Sequence, residues 1–222
     1  MKKTLLLTFA LIAFVLNSGN AQISKVKTGD LLFVGIPLDY TIFDDTTTMS
    51  GAIASATGNK GEINYIHIAI LEVDTQGSVW IIDATLKHGV DRYPLDTFLT
   101  DFTLKDGSLP NLYVKRLKNN KDAVRYVENA KKFCGRGYDI YFLPDNNEKY
   151  CSELVRDSYI TSAGDHIFNI TPMNFKASDG NFPPYWVQLF QYLGQPIPQD
   201  LPGTNPNAME KEKCLKKAGF YL

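Results

Sequence analysis

Two runs rich in β-branched and aromatic residues, YIHIAILEV at 65–73 and SVWIIDAT at 78–85, are separated by only four residues. They constrain the fold more than any other feature. Runs of this composition read as strands, and so short a connection leaves them only an antiparallel hairpin. The connection also sets the register. Gly77 suits the left-handed position of a three-residue loop, Thr75-Gln76-Gly77, which pairs 74 with 78, hence 69 with 83 and 67 with 85. His67 and Asp83 then share a face, one diagonal step apart and within hydrogen-bond reach. A two-residue Gln-Gly turn would send Asp83 to the opposite face, and Gln-Gly is a poor sequence for that turn. Along the first strand, alternation puts Ile66, Ile68 and Ile70 on one face and Tyr65, His67, Ala69 and Leu71 on the other.

Other elements follow from the same reading. Leu31–Val34 predicts a short buried strand stopped by Gly35 and Pro37, and 110–117 another strand. The small-residue stretch 45–57 is moderately helical, with Gly58 as its stop. Helices are expected over about 120–133, ended by Gly135, and over 151–162, closed by Gly164. Beyond about Asn169 the composition turns proline-rich, with short helices expected over 186–193 and 208–218. This reads as an α+β fold, a small antiparallel sheet packed by helices. It forms one domain over 22–222, whose residues 169–222 are a wrapping extension without enough apolar residues for a core of their own.

Lys2 and Lys3, the apolar run Leu5–Leu16 and the small residues of Gly19-Asn20-Ala21 mark residues 1–21 as a secretory signal peptide. No cysteine follows as a lipid attachment point, so a secreted protein, periplasmic or extracellular and without a stable membrane anchor, is expected. With 23 Lys and Arg against 24 Asp and Glu there is no basic excess for nucleic acid. Three cysteines, Cys134, Cys151 and Cys214, are an odd set for an oxidising compartment. Whether Cys134 and Cys214 pair is left open. His88 and His166 have no ligand spacing, and C-x-x-C and H-E-x-x-H are absent, so no metal or cofactor is expected.

Cys151 opens YCSELVRDSY. On a helix, positions 151, 154, 155, 158 and 159 form one stripe that would pack on the sheet, with the thiol in the first turn. Free N–H groups and the helix dipole favour an anion there, and the thiolate is the competent nucleophile. The bland reading is a small buried cysteine packing like alanine. The chemical reading has His67 accept the Cys151 proton and Asp83 orient the imidazole. The Cys151 backbone N–H is a candidate oxyanion donor, and Tyr150 could add a hydroxyl or simply pack. Glu153 reads as a first-turn acid. Thr46–Thr48 and Asn59-Lys60-Gly61 could border the cleft, and Trp186 with Tyr185 and Tyr192 could touch a ligand, though loop surface and core packing are the defaults.

GDLLF at 29–33, the His67 and Asp83 strands, GRGYDIYF at 135–142 and YCSELV at 150–155 together resemble the permuted papain-like amidases. These are YiiX-type relatives of the NlpC-type cell-wall peptidases. PPYWVQLFQYLGQPIP and PGTNP in the tail resemble that family's C-terminal stretch, so the similarity spans nearly the whole mature chain. The resemblance implies a papain-like core whose circular permutation puts histidine before cysteine, as in His67, Asp83, Cys151. The family's acid is often Glu, and Asp83 is shorter. It also implies a cysteine hydrolase without a cofactor, acting on a peptide or N-acyl small molecule through a thioester. Peptidoglycan fragments are one such substrate. A catalytically silent peptide or amino-acid binder on the same fold is the rival. A lipid acyltransferase of the superfamily is the weaker alternative, since those carry an NCEHF-like segment and a second histidine.

Overall fold

A computed structural model of the protein describes residues 23–36, 46–58 and 63–222. The expected signal peptide, Pro37, Asp45 and Asn59-Lys60-Gly61 lie outside the described residues. The strands are β1 (Asp30–Ile36), β2 (Asn64–Val73), β3 (Val79–Thr85), β4 (Gly89–Pro94), β5 (Asn111–Leu117), β6 (Thr171–Pro172), β7 (Pro202–Gly203) and β8 (Leu215–Tyr221). The helices are α1 (Met49–Thr57), α2 (Leu95–Asp101), α3 (Ala123–Lys131), α4 (Cys151–Ser158), α5 (Pro184–Leu193) and α6 (Pro206–Glu210). Six strands form one antiparallel sheet in the order β4-β3-β2-β1-β5-β8, and β6 pairs with β7. The fold is the expected α+β arrangement of helices on an antiparallel sheet.

β1 is buried along its whole length because both sheet faces are covered. On one face Leu31, Phe33, Ile68, Ile70 and Ile82 pack against Val127 and Ala130 of α3 and Leu154 and Val155 of α4. On the other, Leu32, Val34, Ala69, Leu71 and Ile81 pack against Leu95 and Phe98 of α2. A third cluster gathers Phe142, Phe175, Trp186 and Phe190 beside α1 and α5.

The hairpin has the expected parity. Asp74 N–H donates to the Ser78 carbonyl at 3.0 Å, and Gly77 sits at φ 85°. The Asp74 carboxylate accepts the N–H groups of Gln76 and Ser78, which holds the three-residue loop in place. The ladder itself is shorter than expected. It runs from Val73↔Val79 to Ile70↔Ile82 and stops; β3 continues on β4 alone to Thr85↔Gly89, and β2 on β1 alone to Asn64.

On the β1 side, the register shifts between Val34↔His67 and Gly35↔Tyr65, so Ile66 is the extra residue of a β-bulge. That corrects the simple alternation. Tyr65 packs with Ile68 and Ile70 on the α4 side, while Ile66 packs against the α2-side cluster.

Further differences lie elsewhere in the chain. β4 and α2 have no counterpart among the sequence expectations. α4 ends at Ser158 rather than 162, and Tyr159 leaves the helix to donate its hydroxyl to the Gly29 carbonyl at 3.1 Å. The helix expected over 208–218 is instead the short α6 followed by β8, with Gly219 at φ 85°. β8 satisfies backbone groups of β5 that would otherwise form a sheet edge.

Two buried ionic groups tie these elements together. Asp30 is fully buried, and the Arg116 guanidinium grips both its oxygens at 2.5 and 2.7 Å. Behind the start of α4, buried Lys149 lies 3.0 Å from both Glu153 and Asp157. Glu153 is the expected first-turn acid of α4, and it is buried. Burial lifts its carboxyl to about 7, against the pull of Lys149.

Arg116→Leu strands the Asp30 carboxylate and should cost about 3–5 kcal/mol, read from urea unfolding. The folded state holds the Glu153 proton more tightly than the unfolded chain. Its stabilising contribution is therefore full below about pH 4.5 and fades as pH rises to about 7. Glu153→Gln should remove that decline, so its melting temperature relative to wild type should climb across this window.

Candidate active site

α4 begins at Cys151. Its N-cap, Tyr150, is extended (φ −95°, ψ 167°) and makes no side-chain cap hydrogen bond. The first-turn N–H groups, that of Cys151 included, therefore have neither an intrahelical acceptor nor a capping side chain. The expected stripe packs as predicted: Leu154, Val155, Ser158 and Tyr159 are fully buried. Cys151 is 7% exposed, and it lines a cavity of about 190 Å³ together with His67.

His67 Nε2 lies 2.8 Å from Asp83 Oδ2, with Asp83 wholly buried. The shorter acid reaches the ring without difficulty. That contact uses one ring nitrogen, and Cys151, which lines the same cavity, acts on the imidazole through its charge. His67 belongs to the α2 side of the sheet, where Phe102 and Phe98 lie against its ring at centroid distances of 4.8 and 6.1 Å. Cys151 belongs to the α4 side. The two meet where β2 and β3 have parted, beside the Ile66 bulge, so the imidazole need not cross a continuous ladder. Burial disfavours charge on the ring. Cys151 and then Asp83 outweigh it, and the imidazole is pushed up to about 10.

Tyr150 lines the same cavity, and its hydroxyl is engaged with the C-terminal segment. Its hydroxyl accepts the Thr204 N–H at 3.0 Å and faces Met173 Sδ at 4.0 Å. Thr204 Oγ1 also donates to Ser152 Oγ at 2.9 Å, so both residues tie the segment after β7 to the start of α4. Met173 and the Tyr150 hydroxyl pack against the bare backbone of Gly203, where a Cβ would come within 2.5 and 2.9 Å of them.

The aromatic hydroxyl that sequence reasoning missed is Tyr138. It lines the same cavity, and its phenol is pushed far up by burial and then by the charge of Cys151. Its backbone bridges to Lys149, and buried Asp139 accepts the N–H groups of Tyr141 and Leu143 to hold the turn. The signal was present in GRGYDIYF, where nothing local distinguished Tyr138 from a packing residue.

The remaining sequence candidates have structural settings. Thr48 caps α1, accepting the Gly51 N–H. Trp186 is buried and lines the cavity, whereas Tyr192 is 88% exposed. Cys134 and Cys214 are free thiols with different ionic neighbours, Asp91 and Arg92 for one, Glu212 and Lys118 for the other. His88 pairs with Asp101, and His166 Nδ1 contacts the Arg156 carbonyl.

A solved structure titled as metalloprotein YiiX from Escherichia coli O157:H7 is similar in fold. The TM-score is 0.64 at 22% identity, over 86% of this chain and 96% of that one. Among the described residues of this chain, no group of three or more His, Cys, Asp or Glu side chains could hold a metal ion. No curated protein matches the sequence. The family profile of the permuted papain-like amidase enzymes (YaeF/YiiX, C92 family) matches residues 25–218. With that match over most of its length and a YiiX-like fold, the chain belongs to the permuted papain-like amidase family.

Proposed function

We propose that the protein is an exported cysteine hydrolase that cleaves an amide bond, with Cys151 as nucleophile, His67 as acid and base, and Asp83 orienting the imidazole. One observation supports this reading: Asp83 holds His67, and His67 lines one cavity together with Cys151 at a helix start whose N-cap makes no side-chain hydrogen bond. The Cys151 thiolate adds to the amide carbonyl carbon. The oxyanion rests against the Cys151 N–H and the Tyr138 hydroxyl. His67 delivers its proton to the amine nitrogen, the C–N bond breaks, and a thioester remains. Water then gives a proton to His67 and attacks the thioester, releasing the acid and restoring thiolate beside imidazolium.

The cavity lining bears on the substrate. Met49, Ile53, Phe142, Met173, Phe175 and Trp186 form much of the wall, and no Lys, Arg, Asp or Glu lines it among the described residues. Peptidoglycan stem peptides carry carboxylates and amines that would lose water here without a partner. A neutral apolar acyl group suits the wall better. We therefore favour an N-acyl small molecule over a cell-wall peptide.

On a series of N-acyl p-nitroanilides, kcat/KM should rise with acyl length, by up to about 0.8 kcal/mol per buried methylene, until the cavity is full. A higher rate on muropeptides than on any acyl anilide would return the assignment to the cell wall. Intact-mass measurement should find an acyl adduct that Cys151→Ala abolishes. A Cys151 that neither acylates nor alkylates faster than a free thiol would favour the silent-binder reading. Acylation needs the proton on His67, so activity should hold through neutral pH and fall as pH rises through about 10.

A further inference from the structure

Asp83 has two carboxylate oxygens and two partners. Oδ2 holds His67, and Oδ1 accepts the Tyr93 hydroxyl at 2.8 Å, with Tyr93 itself 6% exposed. Tyr93 stands on β4 opposite Ile81, while Asp83 faces Asp91, so the phenol reaches the carboxylate along a cross-strand diagonal. The Tyr93 ring is backed in turn. The His88 ring lies 4.8 Å from it, and His88 Nε2 is 2.7 Å from Asp101 Oδ2 at the end of α2. The same helix and the residue after it supply Phe98 and Phe102 to the His67 ring. The contacts close a circuit: His67, Asp83, Tyr93, His88, Asp101, α2, and back to His67.

We propose that Tyr93 is a positioning residue of this site: its hydroxyl fixes the plane of the Asp83 carboxylate and, through it, the orientation and charge of His67. The inference rests on the nucleophile reading above. A short acid on a strand has two torsions and, without Tyr93, one oxygen buried with no donor. The least costly relief is to take up a proton or turn away. Either change removes the anion facing Nε2, and His67 then holds its proton less firmly beside Cys151. The ionisable groups around this contact are Cys151 on α4, Tyr93 and Asp91 on β4, His88 and Asp101 behind them, and Lys87, which is paired with Asp101.

The test needs no substrate. Alkylation of Cys151 by iodoacetamide is followed by site-resolved mass spectrometry, which separates it from Cys134 and Cys214. Wild type, Tyr93→Phe, Asp83→Asn and the double variant are compared from pH 6 to 10.5, with thermal unfolding of each as the check on folding. Tyr93→Phe should slow Cys151 about tenfold at pH 7 and move the alkaline inflection to lower pH. In the Asp83→Asn background the same substitution should change the rate less than about twofold, because the group it acts through is gone. His88→Leu, which keeps the packing volume, should act in the same direction and more weakly. A fast wild type with an indifferent Tyr93→Phe, or effects that multiply in the double variant, would overturn the proposal alone. A wild-type Cys151 no faster than a free thiol would remove the nucleophile reading and this proposal with it.

Discussion

A carboxylate without solvent must be fully partnered, and Asp83 is the place where this protein meets that demand. It is wholly buried in a strand whose neighbours are Ile81, Ile82 and Ala84, themselves inaccessible to water. One oxygen faces an imidazole and the other a phenol. Losing either donor leaves a buried carboxylate oxygen without a partner, which costs more than losing a surface pair. His67 is therefore held in one orientation by the cost of the alternative. Phe98 and Phe102 keep water off its ring, which strengthens the electrostatics that remain.

The sheet would ordinarily keep such a histidine away from a cysteine on the other face. Two local departures from regular pairing permit the meeting. The β2–β3 ladder ends at Ile70↔Ile82, and the Ile66 bulge turns the strand just before His67. α4, held behind by Lys149, Glu153 and Asp157 and at its end by Tyr159 on Gly29, presents its uncapped first turn at that spot. The C-terminal segment does more than wrap the domain. It brings Met173, Phe175, Trp186 and Thr204 to the cavity, and β8 covers the β5 edge.

Much of this was legible before any coordinates. The loop at Gly77 and the Asp74 side chain are local devices, so the hairpin register follows from a few adjacent residues. The stripe of α4 follows from helical spacing. The 208–218 segment illustrates the opposite case: its composition permits a helix, yet the unpaired edge of β5 recruits Leu215–Tyr221 as a strand. The Tyr150 hydroxyl was equally illegible, because its partner Thr204 lies 54 residues away.

By itself the sequence determined the identity of the chemical groups and their local settings: a cysteine at a helix start, a histidine and an acid on one face of a hairpin, and a family likeness running through all of them. The local settings depend on periodicity and turn chemistry, which act over a few residues, and the likeness rests on motifs spread along the chain. Tertiary structure alone decided where the ladder breaks, that Tyr138 lines the cavity with Cys151, that Tyr93 completes the carboxylate, and that the described cavity wall is largely apolar. Each of those is set by which distant segments compete for the same buried space, and no local pattern encodes the outcome of that competition.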